Sequence, residues 1–444
     1  MQTDLAKGSK KLLNAWAFYD WANSVYTLTI ASAVFPIFYD KLFPKNQHYI
    51  DAFGFHLKNS ALISFTTAAA FMLVSFLSPL LSGIADYVGD KKSFMKFFCY
   101  MGALSCMGLY WFDLDNIYIG LTFYFLGLIG YWGSLVFYNS YLPDIAFPEQ
   151  QDKISAKGYS LGYIGSVILL IINLAMIMKP NWFGIEGTAT EDASKIAMRY
   201  SFIMVGVWWI LFSQYSYYFL PKGSKENGGK LSSSVVFNGF KELKKVWGLL
   251  KENVSLRRYL GGFFVSSMAV QTVMLVATYF GAQEIQWKTE EDSTIGLIIC
   301  ILLIQLVAVV GAVLTSRASA KFGNIPTLIF INCIWAVFCG LAFFITLPMH
   351  FYVMATVAGF VMGGIQALSR STYSKLLPET EDTASFFSFY DVAEKIGIVI
   401  GMCVYGIIDQ ITGSPRMAIV FLAVFFIISV FLLRRVPKKG ALNE

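Results

Sequence analysis

The feature that most restricts this chain is the recurrence of apolar runs too long to be core helices of a soluble domain. Ala61–Ala85 and Phe94–Phe112 are two of them, and the short segment Ser82–Lys92 (SGIADYVGDKK) joins them. A helix needs about 20 apolar residues to cross a bilayer, and about twelve segments qualify. They lie near 13–39, 61–85, 94–112, 117–141, 155–178, 199–220, 258–280, 294–316, 325–347, 351–373, 384–408 and 416–435. Of the 444 residues, 56% are hydrophobic and only 14% charged. A soluble domain carries about one quarter charged residues, so the chain reads as an all-α polytopic membrane protein. No cleavable signal peptide is expected, because Lys7, Lys10 and Lys11 lead straight into a full-length span.

Charge asymmetry gives the orientation. With the N-terminus cytoplasmic, the even-numbered loops and both tails hold roughly 25 of the 34 Lys and Arg. Both termini are therefore expected inside. The longest polar connection, Pro221–Arg258, divides the spans six and six. The expected organisation is a bundle over 1–220, a cytoplasmic linker over 221–257 and a bundle over 258–444. The linker begins with the flexible KGSKENGGKLSSS, then turns helical in pattern from Phe237 to Lys251. Phe237, Phe240, Leu243, Trp247 and Leu250 fall on one side, with Lys241, Lys244, Lys245 and Lys251 on the other. That pattern predicts an amphipathic helix on the inner leaflet, with partner binding as the alternative.

The halves echo each other. Ser82–Gly89 after span 2 aligns with Ser316–Gly323 after span 8, and Leu142-Pro143-Asp144 aligns with Leu377-Pro378-Glu379. Tyr163-Ile164-Gly165 in span 5 matches Lys395-Ile396-Gly397 in span 11. Three echoes in one order indicate an internal repeat, and parallel six-helix repeats are a transporter architecture.

The segment SGIADYVGDKK resembles the loop between the second and third helices of the major facilitator superfamily, with Ser82 for the usual first glycine and Asp90 for a usual basic residue. Within that superfamily the chain is similar to bacterial relatives of the autophagy-linked vacuolar amino-acid effluxers. The resemblance rests on Phe18–Ser24 (FYDWANS), Tyr138–Asp144 (YNSYLPD), Val270-Gln271-Thr272, Ala277–Gly281 (ATYFG) and Gly363–Ser371 (GGIQALSRS). It departs at Met268-Ala269, where many relatives have an acid and a glycine, and at Ala320, where the second loop copy lacks its acid. It implies two pseudo-symmetric six-helix bundles, a cavity lined by spans 1, 4, 5, 7, 10 and 11, an amino acid or similar zwitterion as substrate, and a bacterial cytoplasmic (inner) membrane location.

Ionisable groups inside a membrane are costly unless paired or hydrated, so they mark candidate sites. Asp20 lies about nine residues into span 1, roughly 13 Å deep. Asn23, Ser24 and Thr27 continue its face. Asp20 is either an acid in a cavity wall that binds a proton, or one locked to a neighbouring helix. Asp391, Glu394 and Lys395 in span 11 leave one surplus negative charge for a substrate amine, a proton or Arg370, unless they simply face water at the cytoplasmic mouth. Gln366 and Arg370 share a face in span 10, where the arginine can clamp an anion or latch the gate against an acid such as Asp144. Tyr159 and Tyr163 in span 5 and Gln271 in span 7 complete the predicted pathway. Gly83, Asp86, Gly89, Lys91, Tyr138, Asn139 and Asp144 form the predicted cytoplasmic gate.

His48, His56 and His350 are scattered through predicted outer loops, and neither a zinc-protease motif, a phosphate-binding loop nor a hydrolase elbow occurs. The six cysteines fall in apolar runs without metal-ligand spacing. The expectation is no enzyme, no metal and no cofactor, with no nucleic-acid partner. It is instead a secondary transporter in the lipid bilayer, with a small-molecule substrate, a possible coupling proton and no oligomer required. The alternatives are a larger amphipathic solute, such as a peptide or cell-wall fragment, or a non-transporting sensor on the same fold.

Overall fold

The computed structural model describes residues 5–43, 49–188, 191–223 and 235–437. Most of the loop carrying His48 and the linker stretch 224–234, which includes most of KGSKENGGKLSSS, lie outside the described residues. The first span comprises α1 (Lys10–Val25), a π-helical stretch (Tyr26–Ala33) and α2 (Val34–Leu42). Then come α3 (Asn59–Val88), α4 (Lys91–Gly108), α5 (Ile117–Ile145), α6 (Pro148–Met178) and α7 (Ala193–Phe219). The linker helix is α8 (Val235–Glu252). After it follow α9 (Val254–Glu284), α10 (Glu290–Phe322), α11 (Asn324–Leu341), α12 (Pro348–Leu376), α13 (Thr383–Thr412) and α14 (Pro415–Arg434).

Ten helical segments among the described residues are long and apolar enough to cross a membrane. Helices α4 and α13 are not among them; α4 carries Lys91, Lys92 and Lys96, and α13 carries Asp391, Glu394 and Lys395. Helix ends follow local chemistry. Asp90, where a basic residue was the family expectation, caps α4 by accepting from Ser93 N–H at 3.1 Å. Gly89 closes α3 at φ 75°, a left-handed conformation that a side chain disfavours.

Two features were not anticipated. A hairpin of β1 (Tyr49–Ala52) and β2 (Phe55–Lys58) projects between the first two spans, turning at Phe53 and Gly54, both with positive φ. The π-helical stretch in the first span begins six residues after Asp20, and such departures from α geometry concentrate at functional positions.

Buried apolar side chains gather in two principal clusters. One runs from Leu12 to Leu220 and takes in Ala384; the other runs from Val246 to Val436 and takes in Tyr163. Helices α3 and α13 are tightly covered at one end only. In α13 the residues Thr383–Ser388 are all buried, whereas none from Met402 to Thr412 is. In α3, Ser82–Asp86 are buried while Phe65, Met72 and Phe76 are exposed. The tight end bears Lys91, Lys92 and Lys375 and is called the basic end below.

The linker helix corrects the sequence reading. Among its described side chains Val246 and Leu250 are buried, packed on the second cluster. Phe237, Phe240 and Trp247 are exposed on the same side as Lys244 and Lys251, rather than opposite the lysines. Lys245 donates to Asp382 at 2.7 Å, and this hydrogen bond holds its ammonium above the usual lysine range.

Candidate functional site

Deep in the molecule, α1 and α12 meet through a charge pair. Arg370 Nη2 lies 3.2 Å from Asp20 Oδ2, and both side chains are almost wholly buried. The rest of the guanidinium fork is satisfied by α5 and α6. Nε donates to Ser155 Oγ at 3.0 Å, Nη2 to Ser155 O at 3.0 Å and Nη1 to Asn139 Oδ1 at 3.2 Å. The Tyr138 hydroxyl donates to Asp20 Oδ2 at 2.8 Å. Three rings wrap the cation, with centroids at 4.2 Å (Tyr159), 4.7 Å (Trp16) and 5.4 Å (Tyr138). A guanidinium is weakly hydrated and stacks on aromatic faces, which lowers the cost of enclosing it. Glycine at 158 is a spatial necessity, since a Cβ there would run into Asp20 Oδ2 and sit 3.1 Å from Arg370 and Tyr138.

The acid that Arg370 takes is Asp20, not Asp144 or Glu394, because α1 and α12 both pack against α6 here. Tyr138 and Asn139, expected at the gate, touch the buried pair itself. Ser155 went unnoticed in the sequence; a lone serine in an apolar run carries no signal of its own.

A second polar cluster sits on α13. Lys395 pairs with Asp391 one turn away and with Glu394 at 3.3 Å. Its ammonium lies 3.5 Å from the centroid of Trp132 on α5. Gln271 of α9 donates to Glu394 Oε1 at 2.8 Å. One cation therefore faces two carboxylates, with an aromatic face and a carboxamide alongside. Trp132 was not anticipated. On the neighbouring helices, the Tyr163 hydroxyl donates to Gln366 Oε1 at 2.6 Å and lies beside Tyr159, with ring centroids 6.0 Å apart. Asn23 is buried and accepts from Ser24 at 3.3 Å, and no hydrogen bond joins it to Asp20.

At the basic end, Asp86 accepts backbone N–H groups of Ser385 at 2.7 Å and Ala384 at 3.2 Å. A carboxylate placed on the first turn of α13 satisfies orphan donors and opposes the positive end of the helix dipole. Lys91 bonds Asp144 and donates to Thr383 Oγ1 at 2.6 Å, so α4, α5 and α13 converge. Gly83 is buried beside Asp86, and Gly89 supplies the turn.

The opposite contact uses residues that the sequence reading missed. Asp152 on α6 accepts from Lys375 at 2.6 Å, Ser319 Oγ at 2.9 Å and Asn324 Nδ2 at 2.9 Å. The end of α10 has Ala320 where the end of α3 has Asp86, and the acid comes instead from α6, which packs against α10. The repeat thus carries a signal: a missing acid in one copy points to an acid across the contact. Among the described residues no group of His, Cys, Asp and Glu has the arrangement of a metal site.

Comparison with known proteins agrees with this architecture. The family described as "Vacuole effluxer Atg22 like" matches residues 8–151 and 148–444. An uncharacterized MFS-type transporter of Bacillus subtilis, YxiO, is 28% identical, the match covering 98% of this chain and 97% of YxiO. Autophagy-related protein 22 of Pichia angusta is 25% identical over 86% of this chain and 75% of its own length. The E. coli fucose:proton symporter FucP superposes with a TM-score of 0.69 at 14% identity, covering 96% of this chain and 98% of FucP. The chain is thus a multi-pass membrane protein with the all-α major facilitator fold, and it belongs to the Atg22-like effluxer family of transporters.

Proposed function

We propose that this protein is a secondary transporter of a small polar solute, an amino acid or related zwitterion, working by rocker-switch alternating access with a coupling proton. In this reading all twelve spans cross the membrane, α4 and α13 included, because Lys91, Asp391, Glu394 and Lys395 are paired inside the protein and Lys92 bonds the Leu220 carbonyl. Residues 1–220 and 258–444 move as two bundles, with 221–257 as linker. The basic end faces the cytoplasm, as the distribution of Lys and Arg favours. The membrane would be a bacterial inner membrane.

The observation that carries the reading is the Asp20–Arg370 pair, which ties α1 of the first six spans to α12 of the second six. A buried pair is costly to make and costlier to break on one side. Tied across two moving bundles, it holds the basic end shut until something neutralises it. A proton taken up by Asp20 would release the arginine. The cluster of Asp391, Glu394 and Lys395 offers both signs of charge to a zwitterion: a surplus carboxylate for its amine and an ammonium for its carboxylate.

The test is charge movement in proteoliposomes on adding pooled amino acids, dipeptides or sugars, with and without a proton gradient, followed by labelled counterflow. Expected are a transient and counterflow from the amino-acid pool alone, enhanced by the gradient, with the gradient effect abolished in Asp20→Asn. Response only to dipeptides or sugars would replace the proposed substrate class. Absence of counterflow with every pool would overturn transport of small solutes.

A further inference from the structure

The linker helix α8 presents a largely exposed composite face, touched at its edge by the packing of Trp247 on Phe389. At 100° per residue, Phe237, Phe240, Lys244, Trp247 and Lys251 fall within about 80° of one another. All five are exposed, the three aromatics by 61%, 55% and 44%. Lys251 reaches back over the Trp247 ring at 5.1 Å, and Lys241, at the margin of this face, over Phe237 at 4.7 Å. The docking face, Val246 and Leu250, points the other way.

A helix face exposed only to water has no reason to carry three large aromatics. A face inside hydrocarbon has no place for lysines. Aromatic bodies with basic tips suit the headgroup boundary, where rings enter the acyl region and ammonium groups reach phosphates. Position permits it, because α8 packs on α3 and is tied to the start of α13. Lys245 bonds Asp382 just ahead of α13, and Trp247 packs on Phe389 of α13 with centroids 5.3 Å apart. Acidic residues are scarce on the face, so the complementary partner is negatively charged.

We propose that the Phe237–Lys251 face of α8 is a binding surface for the anionic phospholipid headgroups of the adjoining leaflet. The proposal is independent of which solute is carried. Because α8 is anchored at Asp382, one residue before the helix whose amides hold Asp86, lipid bound there braces the closed basic end.

The experiment is hydrogen–deuterium exchange on the full chain in nanodiscs of phosphatidylcholine alone or with phosphatidylglycerol. Anionic lipid is expected to slow exchange of residues 240–251 about fivefold or more, the scale that several surface lysines can supply. High salt should erase the slowing. The triple variant Lys241→Gln/Lys244→Gln/Lys251→Gln should lose it, while Lys245→Gln, which removes the protein anchor, should keep lipid sensitivity and speed exchange at 383–390. Equal exchange in both lipids, or a triple variant that responds like the parent, overturns the proposal. Slowing by added free phosphate in phosphatidylcholine discs would also overturn it, by assigning the site to a soluble anion.

Discussion

Removing the charge of Asp20 is the most direct challenge to the role given to the buried pair. At 3.2 Å and an effective dielectric constant of about 20, the Coulomb attraction between Asp20 and Arg370 is about 5 kcal/mol. Desolvation of both groups cancels part of it, yet losing one partner of such a pair costs about 3–5 kcal/mol, because the other stays buried and uncompensated. In Asp20→Asn the closed basic end retains Arg370 with Ser155, Asn139 and three rings, but without a counter-charge. Separation of the bundles would let water reach the guanidinium, so the cost falls on the closed state. Taking about 3 kcal/mol, the equilibrium shifts toward opening at that end by roughly a hundredfold. Exchange of the amides in 383–388 and 151–157, all at the basic end, reports the shift. The double variant Asp20→Asn/Arg370→Met should recover much of the protection, since no unpaired charge remains. Unchanged exchange in a folded Asp20→Asn protein would refute the latch, and equal loss in the single and double variants would show that the helices, not the charges, set the closure.

Asp86→Asn should weaken the hold on α13 by about 1.5–3 kcal/mol, the range for hydrogen bonds to a charged group, and speed exchange at Ala384 and Ser385 about tenfold or more; rates within twofold of the parent would remove Asp86 from the gate. Gly158→Ala should displace Asp20 or Arg370 at about 1–3 kcal/mol of overpacking, seen as loss of protection at the basic end, and a variant indistinguishable from the parent would mean the pair has slack that its contacts do not suggest. At the opposite end, burial alone would raise the Glu191 carboxyl, but hydrogen bonds from Arg199 and Lys195 outweigh it and hold it below the usual glutamate range. A depressed carboxyl stabilises the fold above its unfolded value near 4.5, and that contribution is lost as pH falls through the lower, folded value. The melting temperature of Glu191→Gln should therefore lie below the parent's at neutral pH and converge with it in acid; a constant gap would assign the effect to packing.

The sequence by itself determined the class of this protein. Transfer of a segment into lipid depends on a sum over about 20 consecutive residues, so each apolar run announces its helix without knowing its neighbours. The same logic picks out Asp20, Arg370, Asp391 and Lys395, because charge inside such a run demands an explanation. The repeat marked Asp86 and the loop around it. Neither the apolar pattern nor the repeat says which acid an arginine will meet. Asp20 and Arg370 are 350 positions apart, and only the packing of both α1 and α12 against α6 makes them partners. Asp152 and Ser155 have no local signature, since a polar residue near a helix end looks like any solvated terminus until another helix covers it. The docked face of α8 was likewise decided by tertiary contact. Val246 and Leu250 are no more apolar than Phe240 and Trp247, but they are the ones buried in the second cluster, leaving Phe237 and Phe240 outside and Trp247 at the edge against Phe389. Local chemistry thus fixes which segments enter the membrane and which charges need partners, and the identity of those partners follows from helix packing across hundreds of residues.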